Sequence, residues 1–289
     1  MKNFTRRDFL KLSSSALAFT AIGGFACTIN NQRSVGQIPI GVQLYSVRHE
    51  LDQDFEGTLR ALAEMGLDGV EFADYHGHSA AEIRNILDKY GLESHGSHIM
   101  FDIFDDDRFD ETIEFHETLG NKNFIIRWIP EEDWNTRDAF LRTLEAYNEV
   151  VERLEPHGKR LGYHNHDYIF DTYDDKTLWD IMVENTDERF IMQFDTANAA
   201  AVDVDPEEVI RRNPGRTPSM HVKAYSEENE AAVVGDDDLN WPGIIDAAEQ
   251  IGGIEKYILE YEIEGVPPLQ AIEQTLHNFR EIRAEVFSG

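Results

Sequence analysis

Four residues able to bind a metal recur along the second half of the chain, each at or near the end of an apolar run. His164 follows Leu161-Gly162-Tyr163, and Asp195 follows Phe190-Ile191-Met192-Gln193-Phe194. His221 lies within Ser219-Met220-His221-Val222, and Glu260 follows Tyr257-Ile258-Leu259. The separations are 31, 26 and 39 residues, each about one strand–helix unit. Side chains spaced in this way meet only if successive parallel strands carry them to one end of a sheet. Two imidazoles and two carboxylates make a mixed donor set, which suits Mn²⁺, Co²⁺, Zn²⁺ or Fe²⁺ better than Ca²⁺. Taken singly, a strand-end histidine is more often a hydrogen-bonded structural group, and a strand-end aspartate often only caps the next helix. Four on consecutive strands favour metal. One divalent ion is expected, with His166 as the alternative ligand to His164.

The elements that would carry these residues are legible as alternating short apolar runs and longer amphipathic stretches. Strands are predicted over Ile38–Tyr45, Gly69–Phe72, Glu93–His98, Asn123–Trp128, Arg160–His164, Phe190–Asp195, Ser219–Lys223 and Tyr257–Glu260. Between them apolar residues fall at three- and four-residue spacing, as in Phe55-Thr58-Leu59-Leu62 and Phe140-Leu144-Val150-Val151-Leu154. Ser79 precedes one such stretch, Gly66, Gly91, Gly120 and Gly158 follow others, and the last runs from Leu269 to Phe287. Eight strands, eight helices, no antiparallel hairpin signal and no glycine-rich phosphate loop after the first strand favour a single closed (β/α)₈ barrel over an open sheet. The domain is expected to span residues 37–289. In such a barrel the strand ends and the loops after them form the reactive face. The run Asp236-Asp237-Asp238 reads as a solvated loop.

Several motifs go further. Gly41-Val-Gln-Leu-Tyr-Ser-Val-Arg48, Gly69-Val-Glu-Phe72, Tyr75-His-Gly-His-Ser79, Tyr163-His-Asn-His-Asp167, His221-Val-Lys223 and Leu259-Glu260 together resemble the sugar phosphate isomerase/epimerase family of xylose isomerase-like TIM barrels. The resemblance runs from Gly41 to about Arg283 and extends to the exported, twin-arginine-signal subgroup. It implies that strands five to eight hold the metal and that Glu71, His98 and Lys223 line a sugar site. Two departures stand out. Family members that invert a carbon with two bases carry a glutamate on strand five as well as on strand eight, and His164 stands there instead. The His-x-His at 164 and 166 resembles inosose dehydratases and relatives that eliminate from keto sugars. Many exported members also carry a tryptophan after the strand-six aspartate and an aspartate after the strand-seven lysine. This chain has Asn198 and Ala224, which points to a different substrate, with Asn198 among its contacts.

The chemistry expected is removal of a proton next to the carbonyl of a keto sugar, glycoside derivative or cyclitol. Glu260, His166 and Lys223 are the candidate catalytic groups, the first two to move protons and the lysine to hold an oxygen. Glu71, His98, Arg127, Trp128 and Asn198 are the candidate substrate contacts, with Arg127-Trp128 as a platform for the sugar. Lyase or dehydratase chemistry is favoured over isomerisation or epimerisation. The competing readings are a non-catalytic exported sugar-binding barrel and a metal-dependent endonuclease-type hydrolase.

The chain has 26 basic and 56 acidic residues in 289, a net charge of −30. Such a surface repels phosphate backbones, so no nucleic-acid partner is expected. The N-terminus differs from the rest. Arg6-Arg7-Asp8-Phe9-Leu10-Lys11 precedes a weakly apolar run to Ala26. This is the form of a twin-arginine export signal with a short linker, over residues 1–36. Cys27, the single cysteine, excludes an internal disulfide and stands where a lipoprotein would carry its anchor. An exported protein is expected, periplasmic or extracellular, without a membrane span.

Overall fold

A computed structural model describes residues 38–263 and 265–288. Eight parallel strands close into a barrel: β1 (Ile40–Gln43), β2 (Gly69–Phe72), β3 (Glu93–Ile99), β4 (Asn123–Ile126), β5 (Arg160–His164), β6 (Ile191–Asp195), β7 (Ser219–Val222) and β8 (Lys256–Leu259). Each pairs with the next in sequence, and β8 returns to pair with β1. A helix follows every strand, from Phe55–Glu64 after β1 to Pro268–Val286 after β8. The single (β/α)₈ barrel expected from the sequence is therefore the fold. Among the described residues no helix is long and apolar enough to cross a membrane. The twin-arginine signal and Cys27 lie outside the described residues.

Local chemistry sets the helix ends. Ser79 Oγ accepts from the Glu82 N–H while the Glu82 carboxylate accepts from the Ser79 N–H, a reciprocal capping box ahead of Ala80–Tyr90. Gly91, Gly120 and Gly158 then stop their helices in the left-handed region, at φ of 72°, 80° and 63°. Replacing Ser79 with alanine removes the acceptor for one helix N–H. It should cost about 1 kcal/mol, seen as a fall of roughly 2–4 °C in melting temperature for a domain of this size. An unchanged melting curve would mean that solvent satisfies this helix end equally well.

Three expectations need correction. The first strand ends at Gln43 rather than Tyr45, because Leu44–Val47 turn into a 3₁₀ helix whose Tyr45 N–H donates to Gln43 Oε1 at 3.2 Å. An antiparallel hairpin does exist, joining Thr172–Tyr173 to Lys176–Thr177 through Asp174 at φ 55°. Its two-residue strands are too short to give any periodicity. The run Asp236–Asp238 is more than a solvated loop. Asp237 accepts from Trp241 Nε1 at 2.8 Å and from the N–H groups of Tyr225 and Gly235, and Asp238 accepts from the Glu227 N–H. These contacts pin the long connection between β7 and its helix.

The outward faces of the strands and the inner faces of the helices share one apolar core, with Trp179, Trp241, Tyr257 and Phe279 among its largest members. The barrel interior is polar near its C-terminal end. There Gln43, Glu71, Gln193, Asp195 and His221 are all fully or almost fully buried. A polar interior of this kind must be hydrogen-bonded throughout or completed by a ligand.

Candidate metal centre

His164 ends β5, Asp195 ends β6, His221 is the third residue of β7 and Glu260 directly follows β8. The register places Asp195 beside His221, and His221 beside Ile258, two residues before Glu260. Residues two apart on a strand share a face, so this register turns the set inward. One donor atom from each of the four lies within 4.8 Å of the others, and all four side chains are buried. Metal bonds of about 2.0–2.2 Å place neighbouring donors about 3–4 Å apart, so a modest contraction suffices.

Asp195 carries the clearest sign of fit. Its Oδ1 accepts from the Asn198 N–H at 2.7 Å and caps Thr196–Ala200, the ordinary duty of a strand-end aspartate. Its Oδ2 is buried without a hydrogen-bond partner. Lys223 Nζ and His164 Nε2 each stand 3.9 Å away from it. Burial pushes Asp195 up to about 7, with Lys223 opposing and Glu260 adding to the rise. A cation beside Oδ2 would remove this cost.

The two histidines present their nitrogens accordingly. His164 Nδ1 lies 3.1 Å from Gln193 Oε1, which can only accept, so the proton sits on Nδ1 and Nε2 keeps its lone pair. Burial holds this imidazole well below its usual range, hence neutral, the form that ligates. His221 is clamped at both ends, Nδ1 by Glu260 Oε2 at 2.6 Å and Nε2 by Glu71 Oε2 at 2.7 Å. Burial opposes charge on this ring, but Glu260 and Glu71 outweigh it and raise it to about 10. The Glu71–Nε2 contact is the carboxylate–imidazole pairing that orients ligating histidines. Nδ1, turned toward Glu260, is the nitrogen that would ligate. Glu260 itself is held well below its usual range: burial would raise it, but Lys223 and His221 prevail.

A pocket of about 330 Å³ opens above this cluster. Its wall brings together His98, Arg127, Trp128, His166, Asn198 and Lys223, all proposed from the sequence, over His164 and Glu260. His166 Nε2 donates to the Arg127 carbonyl at 2.6 Å, so in the neutral ring Nδ1 bears the lone pair. Burial lowers His166 further, which favours that neutral form. Lys223 bonds Glu262 and stands 3.9 Å from both Asp195 Oδ2 and Glu260 Oε2. Burial disfavours its charge, but Glu260, Asp195 and Glu262 hold the ammonium charged.

Glu71 is placed otherwise than expected. It does not line the pocket. Both its oxygens are taken from below, Oε2 by His221, His98 at 3.1 Å and Gln43 at 3.0 Å, and Oε1 by Gln193 at 2.8 Å. The backbone of Gly96 gives it room, since a Cβ there would lie 2.6 Å from Glu71 Oε1. Both Glu71 oxygens are thus partnered within the barrel, and neither lines the pocket.

The sequence reading missed Gln193 and Asn165. Gln193 Oε1 takes His98 Nε2 at 2.9 Å as well as His164, and its Nε2 serves Glu71 and Ser219. Asn165 accepts from the Asp195 N–H at 2.6 Å and donates to the Asp195 carbonyl at 3.2 Å, fixing the strand end. The available signal for Gln193 was a lone amide within an apolar strand, two residues before Asp195 and therefore on the same face.

This arrangement can be set beside known proteins. None of the curated proteins matches the sequence. Among solved structures the chain is similar to a sugar phosphate isomerase/epimerase from Parabacteroides distasonis. The two are 21% identical, with TM-score 0.74, over 87% of this chain and 96% of that one. It is also similar to an L-ribulose 3-epimerase, 17% identical with TM-score 0.64 over 87% and 98%. A third is the IOLI protein with a bound zinc atom, 12% identical with TM-score 0.68 over 87% and 100%. At these identities the likeness is one of fold. The sequence matches the xylose isomerase-like TIM barrel family over residues 59–282. By that match over most of its length, the chain belongs to the xylose isomerase-like TIM barrel family.

Proposed function

We propose that this protein is a divalent-metal-dependent enzyme of keto sugars or cyclitols that removes a proton next to a carbonyl, with elimination favoured over epimerisation. The observation that carries the proposal is the unpartnered Asp195 Oδ2 within a four-ligand cluster at the floor of a pocket lined by ionisable groups. The sugar isomerase and epimerase neighbours support the substrate class, and the zinc-bound neighbour supports a metal on this fold. His164, Asp195, His221 and Glu260 would hold the ion. Bound there, it would supply Lewis-acid stabilisation, worth several kcal/mol, to charge developing on a substrate oxygen.

The chain's own residues do the rest. Lys223, held charged by its carboxylate neighbours, binds a substrate oxygen. His166, with its Nε2–H fixed on the Arg127 carbonyl, offers Nδ1 to the α-proton or, once protonated, returns that proton to a leaving oxygen. The two sides of the pocket are unlike. Carboxylates of Glu260 and Glu262 lie on the β8 side, and only imidazoles lie on the β5 side. A two-base inversion wants matched bases on opposite faces. Elimination needs one base and one acid. The C–H electron pair becomes the new double bond and the leaving group departs with its own pair, taking a proton.

Incubation of the metal-supplemented protein in D₂O with inososes and keto-hexosides, followed by NMR, tests this. The expected result is release of a leaving group that stops on chelation. Deuterium entering recovered substrate or its epimer, with nothing released, would overturn elimination in favour of epimerisation. Export is proposed as well, on the strength of Arg6-Arg7 and the apolar run after them. Changing both arginines to lysine should leave the precursor inside the cell. Normal export of that variant would refute the twin-arginine route, and mass spectrometry of the mature N-terminus would show whether Cys27 is lipidated.

A further inference from the structure

A second hollow, of about 500 Å³, lies beside the pocket over the metal cluster, and Trp128 lines both. The indole is 46% exposed, far more than a structural tryptophan requires, and stands edge-on to His166 and Tyr168 at 5.2 and 5.1 Å. Phe101, Trp128 and Tyr147 give this second hollow an aromatic lining, formed where the connections after β3 and β4 meet the helix Arg137–Leu154. Tyr147 is only 2% exposed. Its hydroxyl has no hydrogen-bond partner among the described residues and is not one of the buried unpartnered polar atoms, so it is the part of the side chain that reaches the hollow. The charged lining is mostly acidic. Asp105, Glu132 and Asp133 have no side-chain partner among the described residues, and Arg142 is the single cation.

We propose that this hollow is a second sugar subsite and that the natural substrate is a neutral glycoside of at least two rings, its reacting ring over the metal cluster and its second ring beyond Trp128. The inference rests on the sugar-directed reading above and narrows it. Each hollow alone lies in the volume range of ligand sites, so the pair exceeds what one monosaccharide fills. An aromatic wall packs against the C–H face of a sugar ring, and free carboxylates accept its hydroxyls. The same carboxylates repel phosphate, and the net charge of −30 adds to that repulsion. The Tyr147 hydroxyl, open to the hollow, donates to a hydroxyl of the second ring.

Calorimetric titration of the metal-supplemented protein with methyl glucoside, maltose, cellobiose and glucose 6-phosphate tests the proposal without requiring turnover. At least one disaccharide should bind about ten-fold tighter than methyl glucoside. Ala146→Trp, which places an indole in the second hollow where the second ring would lie, should abolish that gain and leave methyl glucoside unaffected. Tyr147→Phe, which removes one oxygen and keeps the ring, should reduce the gain several-fold and guards against a misfolded tryptophan variant. Disaccharides that bind no tighter than methyl glucoside, a gain untouched by both variants, or tightest binding of glucose 6-phosphate would each overturn the subsite. A variant-sensitive gain without turnover of any keto sugar would uphold the subsite and refute the proposed reaction. Turnover of keto-monosaccharides with no disaccharide gain would do the reverse.

Discussion

Exchanging Glu260 for glutamine is expected to lower kcat/KM by about 10³-fold or more, since several kcal/mol of metal-derived stabilisation would go with the ligand and each 1.36 kcal/mol is a factor of ten. The residue serves three neighbours at once. It is a member of the four-ligand cluster, it accepts His221 Nδ1 at 2.6 Å, and it stands 3.9 Å from Lys223 Nζ. Glutamine keeps the volume but loses the charge. The ion should leave together with the activity, and elemental analysis of the purified variant should find less than one-tenth of the wild-type metal. Full metal occupancy with full activity would remove Glu260 from the ligand set, and a wild-type protein that holds no metal would leave the cluster a structural hydrogen-bond network.

Substituting His166 by glutamine should separate proton transfer from metal binding. The side chain lies outside the four-ligand cluster, yet its ring centroid is 5.2 Å from that of His164 and its Nδ1 is uncommitted. Loss of a positioned acid–base group typically costs about 10²–10⁴-fold in rate. We expect a kcat decrease of that order with metal content unchanged. Glutamine can still donate to the Arg127 carbonyl, so the loop should hold its course. If His166 were instead the strand-five ligand, the variant would lose its metal as Glu260→Gln does. A variant with normal kcat would move the proton-transfer role to Glu260 alone.

Glu71 and Gln193 show where a linear reading of the site stops. Glu71 sits on a strand of four residues, a chemically reactive group facing the right end of the barrel, and it reads as a substrate contact. Its actual partners are His221, 150 residues away, and Gln193, 122 residues away. Those contacts use both oxygens before any substrate arrives. Asp195 shows the converse. Both meanings of a strand-end aspartate, cap and ligand, were available, and the side chain divides them between its two oxygens.

The sequence by itself determined the barrel, because strand and helix periodicity, capping residues and left-handed glycines are set by interactions within a few residues of each other. It also determined which side chains come to the reactive end, because that depends only on their position along each strand. The tertiary structure alone decided which way each imidazole carries its proton, that Glu71 orients His221 rather than facing a substrate, and that Trp128 divides two hollows. Those outcomes depend on closure of the barrel, which brings β2, β6, β7 and β8 within hydrogen-bonding distance across its interior. A buried donor or acceptor takes whatever partner the closed barrel brings to it, and no local pattern of residues specifies that partner.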